Sequence, residues 1–185
     1  YQTDLWEEFE DLADEAEPAV SWRATADGLR QATGVPPTPV PEGVQAELRP
    51  YQKTGFDWLV FLWRHRLGGI LADDMGLGKT LQLLTFVQHT RDAGETRPFL
   101  VLAPTSVLST WRSEAARFTP GLRVSIVDST SGKRADVLRA AARSSDLVVS
   151  SYTVARLDEE EFREVEWAGL CLLYTSPSPR DQRGS

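Results

Sequence analysis

Residues 68–80 read Gly68-Gly69-Ile70-Leu71-Ala72-Asp73-Asp74-Met75-Gly76-Leu77-Gly78-Lys79-Thr80. The apolar run at 70–72 predicts a strand, the glycines after it a turn, and the pattern from Thr80 onward a helix. A strand feeding a glycine turn that ends in Gly-Lys-Thr is built to cradle a triphosphate. Glycines let the backbone turn its N–H groups onto phosphate oxygens, and the helix start adds the positive end of its dipole. Lys79 supplies a point charge and Thr80 a hydroxyl for Mg²⁺. The expected nucleotide contacts here are Gly76, Leu77, Gly78, Lys79 and Thr80, with Lys79 and Thr80 as the pair closest to chemistry.

Outward from this loop the chain alternates between two periods. Upstream, Pro50 opens a segment rich in Phe56, Leu59, Val60, Phe61 and Trp63, which suits a buried helix. Downstream, residues 80–90 predict a helix packed through Leu81, Leu84, Phe86 and Val87. Next come a strand at 99–103 cut off by Pro104, a helix at 106–118, a strand at 124–127, a helix at 133–142 and a strand at 147–150. Short, continuously apolar strands between amphipathic helices predict an α/β fold, a parallel sheet with helices on both faces. Such sheets place ligand sites at the carboxyl ends of their strands.

The 185 residues carry a net charge of −7, which looks unsuited to a nucleic-acid partner until its distribution is read. Residues 1–47 hold 11 acidic and 2 basic side chains, whereas residues 48–170 hold 15 acidic and 16 basic, a balance of +1. The acidity belongs to the leading segment. There, Leu5, Trp6, Phe9, Leu12, Ala13 and Ala16 recur at helical spacing among eight carboxylates, predicting an acidic amphipathic helix packed on a neighbour. Residues 34–43, Gly-Val-Pro-Pro-Thr-Pro-Val-Pro-Glu-Gly, exclude a helix or an inner strand and predict an extended linker. The expected organisation is an acidic helical segment at 1–33, a Pro-rich linker at 34–47 and a nucleotide-binding lobe at 48–170.

No apolar run reaches the length of a membrane span, so no membrane association is expected, and the single cysteine excludes a disulfide framework. Soluble, intracellular protein is the expectation, and abundant Arg and Ala point to a GC-rich bacterial genome. His65 and His89 lie in helical segments away from any Cys/His cluster and are read as packing or surface residues. The acidic run at 158–161 is read as solvated surface.

Asp73-Asp74-Met75-Gly76-Leu77-Gly78-Lys79-Thr80 departs from the general phosphate-loop pattern, which asks for glycine where Asp73 stands. In this form it resembles motif I of the Snf2 family, helicase-like ATPases that translocate along double-stranded DNA. Three further stretches support that resemblance in order. Leu48-Arg49-Pro50-Tyr51-Gln52 resembles the family's adenine-recognition element, which implies that the Gln52 amide pairs with the adenine edge and selects ATP. Pro104-Thr105-Ser106 through Trp111 and Glu114 is similar to motif Ia, implying that Thr105 and Ser106 lie near the DNA backbone while Trp111 is mainly structural. Ser150-Ser151-Tyr152-Thr153-Val154 resembles motif Ib, implying a backbone contact through Tyr152.

The resemblance covers about residues 48–170. It implies a P-loop, RecA-like lobe, here incomplete, from a protein that couples ATP and Mg²⁺ to movement on duplex DNA, acting on DNA-bound proteins and, in a bacterium, at the nucleoid. It also implies that the next strand ends in an Asp-Glu box that holds Mg²⁺ and positions water. No such box follows Leu170. Instead Cys171-Leu172-Leu173-Tyr174-Thr175-Ser176-Pro177-Ser178-Pro179-Arg180-Asp181 resembles a translated sequencing-library adapter, and residues 171–185 are set aside as non-native in reasoning about the fold. Two rivals stand beside this reading. One is a non-enzymatic nucleotide-binding or protein-interaction module working through its acidic helix. The other is a different helicase subunit, disfavoured by the Trp111 motif.

Overall fold

A computed structural model describes residues 34–68, 78–128 and 134–173. The expected acidic helix, the strand at 70–72, and Gly76 and Leu77 of the phosphate loop lie outside these residues.

Residues 50–64 form α1 (Pro50–Arg64), and the chain then runs into α2 (Lys79–Asp92). Next come β1 (Phe99–Ala103), a short 3₁₀ turn (Thr105–Val107), α3 (Leu108–Phe118), β2 (Val124–Val127) and α4 (Arg134–Ser144). The series ends with β3 (Leu147–Ser151), α5 (Tyr152–Leu157), α6 (Glu159–Arg163) and β4 (Gly169–Leu172). Among the described residues all strand pairings are parallel, in the order β2-β3-β1-β4. The elements expected at 80–90, 99–103, 106–118, 124–127, 133–142 and 147–150 are present with ends shifted by up to two residues, the start of α3 being a 3₁₀ turn, and α5 and α6 add two short helices that the hydrophobic period does not announce.

Every residue of β1 and β3 is buried. Their side chains alternate between two apolar layers, as the period of two requires. Phe99, Val101, Ala103, Leu147 and Val149 meet α1, α2 and α3 through Phe56, Leu84, Val87 and Trp111. Leu100, Leu102 and Val148 meet α4, α5 and α6 through Leu138, Val154 and Phe162. The sheet is therefore covered on both faces. Trp111 is 1% exposed, which fits its expected structural role.

β4 extends two residues past Leu170, with Cys171 opposite Val101 and Leu172 opposite Leu102. Setting residues 171 and 172 aside was therefore wrong for the fold: two apolar residues at the end of a strand pair with a parallel neighbour whatever their origin. Burial drives the Cys171 thiol up to about 11, which keeps it protonated and inert at neutral pH.

The Pro-rich stretch is extended, as its prolines require, but it is fastened to the lobe. Thr38 is buried and its N–H donates to Asp57 Oδ1 of α1 at 2.8 Å. Gln45 N–H donates to the carbonyl of Phe118, the last residue of α3, at 2.7 Å. Gly43 lies so close to Gln88 of α2 that an added Cβ would stand 3.1 Å from its amide carbon. The segment is a strap across three helices rather than a free spacer.

The amino edge of the sheet is held by Asp146, which is 3% exposed and precedes β3. Its Oδ1 takes Arg91 Nε from the end of α2 at 2.7 Å and Arg123 Nη2 at 2.9 Å, and its Oδ2 accepts the Arg123 backbone N–H at 2.8 Å. This clamp fixes the carboxyl end of α2 at the amino edge. The helix, about 21 Å long at 1.5 Å per residue, consequently begins at the carboxyl edge. Asp146→Ala strands both guanidinium groups, which keep partial access to water, and orphans one N–H. Its expected effect is a loss of about 2–3 kcal/mol of unfolding free energy, measurable by urea denaturation of this chain.

Candidate nucleotide-binding site

α2 starts at the carboxyl edge because Gly78 turns the chain there. Gly78 has φ of +105°, in the left-handed region, and its carbonyl accepts the first helical hydrogen bond from Gln82 N–H at 3.0 Å. Lys79 and Thr80 follow at the helix start, both half-buried, and no acidic residue occupies the first turn. The N–H groups of this turn and the Lys79 ammonium thus meet no carboxylate from the helix itself, an arrangement suited to an anion.

The interior of α2 carries more polar residues than a buried helix usually tolerates. Three of them donate within the helix: Thr85 Oγ1 to Leu81 O at 2.7 Å, Thr90 Oγ1 to Val87 O at 2.8 Å, and Gln88 Nε2 to Asp92 Oδ1 at 2.9 Å, while Gln88 Oε1 has no hydrogen-bond partner among the described residues. This local pairing lets the helix sink between α1, β1 and α3.

Gln52 is brought directly to this turn. It is 7% exposed, its Oε1 accepts the Arg49 N–H at 2.8 Å, and its Nε2 lies over Gly78, where any added Cβ would collide with it. The bond to Arg49 closes the first turn of α1 in the manner of a capping box and leaves Nε2 as the donor facing the loop. Pro50 at the helix start and a Schellman-type end (Arg66 N–H to Trp63 O, Leu67 N–H to Leu62 O) fix the length of α1. Two residues separated by 26 positions in sequence are thus in contact, and a side chain at 78 has no room.

Thr105 and Ser106 sit in the 3₁₀ turn directly after β1, both exposed at the carboxyl edge. Tyr152 opens α5 after β3 and is half-buried; its hydroxyl donates to the carbonyl of Leu173, the residue leaving β4, at 2.6 Å. Nothing in the sequence around Tyr152, where the resemblance implies a DNA-backbone contact, announces that bond. The Asp146 clamp was also missed, since one aspartate before an apolar strand carries no pattern.

Neither histidine joins a ligand cluster among the described residues. His65 Nδ1 is 2.8 Å from Phe61 O, and His89 stands edge-on to Phe56 at 5.9 Å. Burial, with Arg64 nearby, lowers the His89 pKa below the usual imidazole value, against a smaller upward pull from Asp92. The carboxylates at 158–161 are at the surface, where Glu159 pairs with Arg163 at 2.8 Å.

Fold and site together define a parallel α/β lobe whose glycine-led helix starts beside a buried glutamine. Residues 51–172 match the SNF2-related domain, and the chain belongs to that family. It is 39% identical over 145 residues to YwqA of Bacillus subtilis, covering 78% of this chain and 16% of that protein. It is likewise 39% identical over 127 residues to the ATP-dependent DNA helicase DDM1 of Arabidopsis thaliana, covering 65% and 17%. The SWI2/SNF2 ATPase core of Sulfolobus solfataricus, solved in complex with double-stranded DNA, superposes with a TM-score of 0.63 at 34% identity, over 73% of this chain and 28% of that one. The chain thus spans about a sixth of the length of these two curated relatives. No described helix is long and apolar enough to cross a membrane.

Gly78→Ala meets two separate penalties, the left-handed backbone and the collision with Gln52. Adding Gln52→Ala removes only the second. The single variant is expected to lose more unfolding free energy than the same substitution made in a Gln52→Ala background, where about 1–2 kcal/mol of backbone strain remains. A double-mutant cycle on thermal or urea unfolding checks this; equal losses in both backgrounds would mean that Gln52 does not press on the turn.

Proposed function

We propose that the full-length protein is an ATP-dependent translocase on double-stranded DNA that remodels protein–DNA complexes, and that this chain carries the nucleotide-binding part of its first lobe. One observation carries the reading: a Gly78-led helix start bearing Lys79 and Thr80, in contact with Gln52, within an SNF2-related domain. The residues fit a nucleotide. The turn at 78 is open only to glycine, the helix start is free of acids of its own, and a buried amide donor faces it.

Gln52 would read the adenine edge, the backbone at Gly76, Leu77 and Gly78 would donate to phosphate oxygens, and Lys79 would neutralise the β/γ-phosphates. Thr80 would offer one hydroxyl to Mg²⁺. Bound Mg-ATP supplies the phosphoryl group whose transfer to water drives the cycle. Thr105 and Ser106, exposed after β1, would hold a DNA phosphate without reading sequence. The double-stranded DNA in the Sulfolobus complex and the helicase name borne by DDM1 support duplex DNA as the partner. The protein would act at the nucleoid of a bacterium, the bacterial source being supported by the Bacillus subtilis relative.

We further infer that residues 171–181 are adapter-derived and displace the native acidic box. Reading the source DNA through the codon for Leu170 is expected to return an Asp-Glu pair within a few codons. In the full-length protein obtained that way, Lys79→Ala should abolish DNA-stimulated ATP hydrolysis, a loss of at least about 100-fold if electrostatic stabilisation of the transferred group resides there. The present chain should show weak Mg-ATP binding by calorimetry and no turnover. Near-normal hydrolysis by Lys79→Ala would sink the assignment.

A further inference from the structure

Resting on the reading of Gln52 as the adenine contact, we propose that the strap at residues 38–45 holds that amide in place over the Gly78 turn, with Asp57 as the positioning residue that couples the two. Asp57 stands one helical turn beyond Lys53 on α1, its side chain mostly buried. Its Oδ1 accepts the Thr38 N–H at 2.8 Å and takes the Lys53 ammonium at 2.6 Å. The first of these bonds reaches α1 from outside that helix, and the second comes from the residue next to Gln52 in sequence.

The contacts close a ring. Gln52 and Asp57 lie on one rigid helix, Gln88 and the Gly78 cap on another, and the strap joins them through Thr38 on Asp57 and Gly43 on Gln88. Gln45 N–H, on the Phe118 carbonyl at 2.7 Å, braces the strap a third time, and a turn closed by Val44 N–H on Pro41 O at 3.1 Å joins its two halves. Gln52 needs such a frame. Phe56 and Val60 seat α1 in the core, but apolar burial has no direction of its own. The bond from Arg49 N–H fixes the amide relative to α1 and not relative to Gly78. The contact with Gly78 leaves no space for a Cβ, and a gap of about 0.5–1 Å already forfeits a quarter to a half of such a contact. The Thr38 bond supplies the missing directional tie.

What depends on this tie is the choice of base. An amide N–H donates equally to N7 of adenine or guanine, so Nε2 does not tell them apart. Oε1 does: beyond the lone pair given to Arg49 it has a second, which accepts from the exocyclic amine of adenine and meets an oxygen in guanine. That distinction rests on the height and plane of the amide, whereas the hold of Lys79 on phosphate is set by α2 itself. The strap therefore acts on which nucleotide is bound more than on how its phosphates are held.

In the full-length protein, Thr38→Pro removes the N–H, keeps an extended backbone and leaves α1 untouched, while Asp57→Ala cuts the same tie from the other side. Affinities for non-hydrolysable analogues of ATP and GTP, measured by calorimetry, give the preference between bases. Thermal unfolding reports whether each variant folds, and either variant alone carries the comparison. Gln52→Ala comes first and should bring the two affinities together. If the unsubstituted protein shows no preference, or Gln52→Ala leaves it intact, the reading of Gln52 fails and takes the proposal with it, before the strap is altered. Loss of one net hydrogen bond from the frame is then expected to lower the preference for ATP about five-fold in Thr38→Pro and in Asp57→Ala, with GTP affinity within about two-fold. Asp57→Asn keeps the acceptor oxygen and should retain the preference, and Thr38→Pro in a Gln52→Ala background should change it no further. Equal losses for both nucleotides would mark the tie as merely structural and overturn the proposal. So would an unchanged preference, or an Asp57→Asn protein as impaired as Asp57→Ala.

Discussion

A strand buried at every residue imposes a demand that most of this structure answers. β1 has no exposed position, so its backbone must be paired along both edges and its side chains covered on both faces. β3 and β4 supply the edges, α1 to α3 one face and α4 to α6 the other. Parallel pairing then sends every carboxyl end in the same direction. Gly78, Thr105, Tyr152 and Leu173 gather along one rim because the strands they follow, or the helices they begin, have no other way to point.

The rim is kept in register from the opposite side. Asp146 draws the end of α2 and the start of β2 together at the amino edge, through Arg91 and Arg123. Its two arginines keep partial access to solvent, with side chains 28% and 57% exposed. The carboxylate is dry while its counter-charges are not, so the desolvation cost falls mainly on one partner and is offset by two guanidinium groups and a backbone N–H. A clamp of this kind fixes orientation more than it adds stability, and orientation is what a helix start facing a ligand needs.

Much of the fold was legible because the strands are short, apolar and separated by turn residues; the bounds of β1 and β2 follow from Pro104 and from the polar residues flanking Val124 and Val127. The glycine turn was legible for a steric reason, since no other residue serves at a φ of +105° under a buried amide. What could not be read were contacts between residues distant in sequence and ordinary in type. Thr38 to Asp57, Gln45 to Phe118, Asp146 to Arg91 and Tyr152 to Leu173 involve side chains common on any surface. Only the closed sheet brings them together. Treating residues 171 and 172 as outside the fold failed for the reverse reason, because a parallel strand accepts any apolar pair at its end.

The strap from Thr38 to Gln45 has a consequence for how the chain is made. It leaves the ribosome before everything it binds. Its first anchor, Asp57, follows Thr38 by 19 residues, and Phe118 follows Gln45 by 73. At ordinary translation speeds of about 5–20 residues per second, the strap waits roughly 4–15 s for its last partner. Four prolines between positions 36 and 41 keep it extended during that interval and unable to nucleate a helix of its own. The composition that rules out regular structure in this segment thereby preserves it for a partner not yet synthesised.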